Sequence, residues 1–198
     1  MRQVSLILLF LLCLNFGVCA VSAEEAHPFS IHDVLAMERI SEPQVSPDGG
    51  EIVFTLRTTD LEADKGRTDL WLVGTDGGEL RRLTSHEGGD SNPRWSPDGK
   101  SVYFLSTRSD SSQVWRISID GGEAEQITDL PLDAANLLIS PDGKRIAFTM
   151  EVFPGSTPQA TKEKLDEIKE RKASGGSMNG YSSATGIRGR TVVARTSS

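Results

Sequence analysis

The 198 residues carry 21 basic and 28 acidic side chains, a formal net charge of −7, with 37% hydrophobic residues. An acidic balance of this size favours solubility and argues against nucleic acid or an anionic membrane surface as partner. Both cysteines, Cys13 and Cys19, fall in the first 23 residues, so no disulfide is expected in the remainder.

Residues 1–23 read as a secretory signal peptide: Arg2 supplies the positive start, residues 4–14 are almost wholly apolar, and Val21-Ser22-Ala23 places a small residue before Glu24. The apolar run is shorter than the ~20 residues a membrane span needs. Cys19 is a poor lipidation site, because Val18 before it is bulkier than such sites carry. The expectation is therefore an exported protein, periplasmic or extracellular, with no membrane partner once the leader is removed. Loss of Arg2 with the leader leaves 20 basic against 28 acidic residues, a net of −8. About 175 residues then remain, enough for one domain.

Residues 24–40 form an N-terminal helical segment in this reading. The helix is predicted over 29–40, where Ile31, Val34, Leu35 and Ala36 can share a face, Ser30 or Asp33 can cap the start, and Pro43 closes it off. From residue 41 the chain repeats. Ser-Pro-Asp-Gly occurs at 46–49, 96–99 and 140–143, and the second and third copies lie 44 positions apart. The same offset relates Leu70-Trp71 to Val114-Trp115, Asp76-Gly77-Gly78 to Asp120-Gly121-Gly122, and Leu83-Thr84 to Ile127-Thr128. A period of roughly 40 to 50 residues indicates propeller blades.

Within each repeat the rhythm is that of strands. Ile52, Phe54 and Leu56 alternate with Val53, Thr55 and Arg57, and further strands are predicted at 70–73 and 80–84. The second repeat predicts strands at 93–96, 101–107, 113–119 and 124–128, and the third only 136–140 and 145–152. The first repeat is six residues longer between its Ser-Pro-Asp-Gly and its tryptophan than the second, and the excess, in 58–68, is expected to be a polar rim loop. In the repeated turn, proline presets φ, aspartate bonds the backbone locally and glycine accepts positive φ. The fold class predicted is all-β, an incomplete β-propeller over 41–154 with two full four-stranded blades and part of a third. Propellers usually close with about four to eight blades, so open blade edges that aggregate or pair are expected. Residues 155–175 read as a charged helical or disordered insert, with Leu165 and Ile168 its large apolar residues and Glu167 placed to support Arg171.

Few residues suggest chemistry. Asp48, Asp98 and Asp142 sit at equivalent turn positions and lack the spacing of a calcium loop. Trp71, Trp95 and Trp115 fit blade core better than a ligand platform, since two of them recur at one strand position. His27, His32 and His86 are scattered, without a Glu-x-x-His partner. Gly175-Gly176-Ser177-Met178-Asn179 comes nearest to a hydrolase elbow and fails at the last glycine. No catalytic, cofactor-binding or metal-ligating residue is expected in this chain.

Ile40-Ser41-Glu42-Pro43-Gln44-Val45-Ser46-Pro47-Asp48-Gly49, following Asp33-Val34-Leu35-Ala36-Met37, resembles the start of secreted serine peptidases of the prolyl oligopeptidase family, in the acylaminoacyl-peptidase and dipeptidyl-peptidase-like branch. The resemblance extends from Phe29 to about Gly175. It implies an N-terminal, WD40-like propeller that screens peptide substrates for a C-terminal α/β-hydrolase domain, whose serine, aspartate and histidine match no position here. Ser-Pro-Asp-Gly repeats also occur in the periplasmic propeller TolB, so a TolB-like module that binds a protein partner is the alternative, and a non-functional truncated product a third. Residues 176–198 depart from that branch in this frame. Read across codons, however, Ser177 to Ser198 can encode Y-E-R-L-F-V-R-H-W-D-T-W-A-D-G-R-R-S-H-L-F, which contains the branch's F-V-R-H-W-D-x-W pattern. An out-of-frame tail beginning near Gly175 to Ser177 is therefore expected. The gene's nucleotide sequence checks this: the alternate frame should stay open past the motif and lead to a Gly-x-Ser-x-Gly, and a stop codon before the motif rules it out.

Overall fold

The repeated turn shows why the blades form where they do. In the computed structural model, which describes residues 28–60, 65–173 and 189–196, the glycine N–H of each Ser-Pro-Asp-Gly donates to the serine carbonyl, at 2.9 Å for Gly49 and Gly99 and 2.8 Å for Gly143. All three glycines are left-handed, with φ of 77°, 70° and 69°. Each serine hydroxyl donates to the turn aspartate and accepts the N–H of the residue opening the next strand: Glu51 at 2.9 Å, Ser101 at 3.0 Å and Arg145 at 2.9 Å. Four residues thus fix the hairpin and its register without help from the core.

The first sheet is antiparallel in the order β1-β2-β3-β4, comprising β1 (Arg39–Val45), β2 (Glu51–Asp60), β3 (Lys65–Gly74) and β4 (Arg81–Arg82). The second repeats it with β5 (Asp90–Trp95), β6 (Ser101–Ser106), β7 (Gln113–Ser118) and β8 (Glu125–Gln126). The third has the order β11-β10-β9, from β9 (Ala135–Ile139), β10 (Arg145–Val152) and β11 (Gly189–Thr196). In both full blades a threonine closes the short fourth strand, Thr84 Oγ1 accepting from Leu70 N at 3.0 Å and Thr128 Oγ1 from Val114 N at 2.9 Å.

Period-two alternation gives the middle sheet two buried faces. On β6, Val102 and Phe104 join Val53, Leu70 and Leu72 of the first blade in one apolar cluster, while Tyr103 and Leu105 join Leu137 and Phe148 of the third in another. The core is therefore a series of layers between blades, and none of the sheets has a core of its own.

Several elements differ from their sequence expectations. Helix α1 spans Ile31–Ala36, with Asp33 Oδ2 accepting from Ser30 N at 2.6 Å and from its hydroxyl at 2.8 Å. It does not reach residue 40, because Arg39 and Ile40 pair with Arg57 and Leu56 in the sheet. Pro43 lies within β1 at an irregularity in the pairing rather than beyond a helix. Residues 58–60 and 65–67 are not a loop: Thr58, Thr59 and Asp60 pair with Arg67, Gly66 and Lys65, so the insert lengthens a hairpin whose tip, 61–64, lies outside the described residues. The third blade gains a strand, β11, from a stretch with no strand pattern expected, since its eight residues pair along the whole of β10. The leader 1–23, His27 and residues 174–188 lie outside the described residues. The charged insert is helical as α2 (Pro158–Ala173), capped by Thr157 Oγ1 at 3.2 Å from Ala160 N. The pairs Lys162 with Asp166 and Arg171 with Glu167 run along it, and Leu165 anchors it on the blade core.

The turn glycines also touch. A Cβ at Gly99 would lie 3.7 Å from Pro47 and one at Gly143 would lie 3.3 Å from Pro97, while nothing stands within 4 Å at Gly49. Each later turn thus packs on the proline of the preceding blade. Gly49→Ala is expected to destabilise by about 1 kcal/mol through its left-handed backbone alone. Gly143→Ala should cost about 2 kcal/mol, crowding being added. Urea unfolding of the two variants checks the difference.

Candidate functional site

The inner strands β1, β5 and β9 each carry one left-handed residue that is not glycine: Glu42 at φ 54°, Asn92 at 55° and Asn136 at 52°. Each lies at an interruption of the strand pairing, and there Glu42 and Asn92 turn their side chains along the blade junction while Asn136 Nδ2 donates to Thr149 Oγ1 of its own blade at 2.8 Å. Asn92 donates from its backbone N to Glu42 Oε2 at 2.7 Å and from Nδ2 to Oε1 at 2.6 Å. Its Oδ1 in turn accepts Leu137 N at 2.8 Å. One side chain therefore joins three blades. Beside it Trp95 Nε1 donates to Gln44 O at 2.9 Å, and Arg81 reaches from the first blade to Ile119 O at 2.7 Å.

A second feature belongs to the second blade alone. Fully buried Asp90 receives both its oxygens' bonds from Arg108, at 3.0 and 2.9 Å, and the guanidinium lies over the rings of Phe104 and Trp115 at 5.3 and 4.8 Å. A charge pair this deep persists because both carboxylate oxygens accept from Arg108 Nη2, Ser106 Oγ accepts from its Nε at 2.9 Å, and its flanks are aromatic. Ile40 and Ala134 occupy the position of Asp90 in the other blades, so the pair is no part of the repeat. Third, a cavity of about 300 Å³ lies between the third blade and α2, lined by Asp133, Asn136, Thr149, Glu151, Phe153 and Leu165 among others.

The residues weighed from sequence fall into structural places. Asp48, Asp98 and Asp142 each accept a serine hydroxyl and a backbone N–H two residues on, which is turn chemistry. Trp95 and Trp115 pack on the apolar layer between the first two blades, and Trp71 is half-buried on β3. His86 Nδ1 accepts Gly88 N at 2.9 Å, and among the described residues no three His, Cys, Asp or Glu side chains gather as metal ligands do. Residues 175–179, with the imperfect hydrolase elbow, lie outside the described residues. The Glu42–Asn92–Asn136 series was missed in the sequence. Its legible signal was an Asn or Glu just before Pro43, Pro93 and Leu137 at the repeat offsets.

Antiparallel sheets stacked face to face, with equivalent turns and inner strands in contact, are the blades of an open β-propeller. The chain belongs to the TolB beta propeller domain family, whose pattern matches residues 34–185. Among curated proteins it is similar to a dipeptidyl-peptidase 5 of Porphyromonas gingivalis, 31% identical over 80 residues, 40% of this chain and 12% of that protein. It is also similar to the uncharacterized peptidase YuxL of Bacillus subtilis, 33% identical over 83 residues, 41% of this chain and 13% of that protein. These matches therefore span only about an eighth of the relatives' length. Among solved structures, an acylaminoacyl peptidase of Pyrococcus horikoshii matches with a TM-score of 0.54 at 17% identity, over 66% of this chain and 20% of that one, a likeness of fold.

Two predictions follow the geometry of turns and junctions. Serine hydroxyls first, then backbone N–H groups, hold the Asp48, Asp98 and Asp142 carboxyls below their ordinary value of 3.8. A depressed folded-state value means stability present above the unfolded value and lost as pH falls through the folded one. Urea midpoints should therefore drop below about pH 4, and less steeply in the triple Asp→Asn variant. Asn92→Ala strips a donor from the Glu42 carboxylate and the acceptor from Leu137 N, and should cost about 3 kcal/mol, read from the same unfolding curves.

Proposed function

We propose that this chain is the substrate-screening propeller portion of an exported serine peptidase of the prolyl oligopeptidase type, with catalysis carried by a hydrolase domain whose triad is not among these residues. The observation that carries the reading is the similarity of its blades to two proteins named as peptidases. The turn serines fit it: Ser46, Ser96 and Ser140 bond a carboxylate and a backbone N–H, without a histidine base, and so serve as turn struts. In the parent enzyme the propeller would cap the active site, admitting small peptides and excluding folded proteins, and the apolar leader would direct export to the periplasm or beyond. Peptides are the substrate class, and neither nucleic acid nor membrane is a partner. Among the described residues no helix is long and apolar enough to cross a membrane.

The family description, TolB beta propeller domain, favours a second reading, a periplasmic module that binds a protein partner. Hydrolysis assays separate the readings from an enzyme complete in this chain. The purified chain should leave aminoacyl and acyl-aminoacyl chromogenic substrates at the blank rate. Turnover that a serine-directed fluorophosphonate abolishes would overturn the assignment of catalysis to another domain. Stoichiometric retention of one periplasmic protein by the chain would instead support the second reading.

A further inference from the structure

Asp-Gly occurs five times, at 48–49, 76–77, 98–99, 120–121 and 142–143. The step is chemically fragile, because a glycine without Cβ lets its backbone nitrogen approach the preceding carboxyl. Four of the five carboxylates are tied. Asp48, Asp98 and Asp142 accept a serine hydroxyl at 2.6, 2.5 and 2.5 Å and a backbone N–H two residues on, each at 3.1 Å. Asp76 accepts the N–H of Gly78 at 2.9 Å, and its turn is closed by Gly77 N on Gly74 O at 2.9 Å and by Gly74 N on Gly78 O at 2.8 Å. Asp120, its equivalent in the second blade, is exposed and differs. Its backbone N donates to Ser118 Oγ at 3.2 Å, and among the described residues no donor reaches its carboxylate. Gly121 N keeps the bond to Ser118 O at 3.0 Å, but the counterpart of the bond from Gly74 to Gly78 is not made among the described residues. Gly121 and Gly122 are both left-handed, at φ 88° and 104°. Nothing stands within 4 Å of a Cβ built on Gly122, whereas at Gly78 the Asp76 carboxylate stands 3.2 Å away.

We propose that Asp120 is a modification site, the Asp-Gly step of this chain that isomerises to isoaspartate in the folded protein. Gly121 N attacks Cγ of the Asp120 carboxylic acid: the N–Cγ bond forms, and the acid hydroxyl leaves with the amide proton as water. The cyclic succinimide then takes up water again. Cleavage of its N–Cγ bond restores aspartate, whereas cleavage between N and the Asp120 main-chain carbonyl carbon routes the backbone through Cγ and frees the α-carboxylate. Water lost is water regained, and no oxidant enters. At the other four steps the bonds that hold the carboxylate must break first. The serine bonds also keep the Asp48, Asp98 and Asp142 carboxyls below their ordinary value, which depletes the reactive acid form. The site follows Ile119, whose carbonyl accepts Arg81 from the first blade, so an extra methylene in the backbone there loosens a blade junction.

Ageing of the purified chain at neutral pH tests this, followed by digestion and assay of each Asp-Gly peptide for isoaspartate. The readouts are electron-transfer fragmentation and methyl transfer from S-adenosylmethionine by an isoaspartyl methyltransferase. The peptide with Asp120 should hold at least about tenfold more isoaspartate than each of the other four, the difference that one hydrogen bond to a charged group makes to a rate. The same chain aged in urea should bring the five steps together, because the fold alone separates them. Asp120→Glu, whose attack would close a larger and slower ring, should remove the signal and leave the circular dichroism melt of the wild type. Equal isoaspartate at the five steps of the folded chain, none at residue 120, or the same preference for residue 120 in urea would each overturn the proposal.

Discussion

The hydrogen bonds of Asn92 are the constraint on which the arrangement of blades depends. A single amide side chain takes the Glu42 carboxylate on one side and the Leu137 N–H on the other, and it does so from a left-handed bulge. Asparagine tolerates that conformation better than most residues, whereas Glu42 is held there against its preference. The bulge is what aims these side chains between sheets, and the apolar layers fill in around the alignment it sets. Val53 and Phe104 meet on one side of β6, and Leu105 and Phe148 on the other, only when the inner strands are in register.

Features written into a local tetrapeptide were the ones legible in the sequence. Ser-Pro-Asp-Gly encodes a complete hairpin, so three copies located three inner hairpins, and the alternation of Ile52, Phe54 and Leu56 with Val53, Thr55 and Arg57 marked a strand. What was not legible depends on partners distant in sequence. The arms around Asp60 and Lys65 look polar and loop-like, yet they pair because β2 and β3 simply continue past the core. β11 has an identity only through β10. The Asp90–Arg108 pair joins residues eighteen positions apart in a single blade, where no repeat could point to it.

Function divides along the same line. The blades supply surfaces and registers, and their polar groups are committed: turn serines to aspartates, threonines to strand ends, Asp90 to Arg108. A scaffold with its donors and acceptors engaged in this way is suited to holding a shape. The blades are similar both to proteins named as peptidases and to a protein named as a TolB homolog.

The packing of a turn glycine onto the preceding blade's proline has a direction, since Gly99 rests on Pro47 and Gly143 on Pro97, never the reverse. A gene segment encoding one such unit brings both a donor side and a receiving side. Tandem duplication of that segment would add a blade already fitted to its neighbours, with no compensating change required in either. The contact therefore acts as a grammar for lengthening: it fixes the order in which copies can follow one another and leaves their number free, so propellers of different blade count can descend from a single ancestral unit.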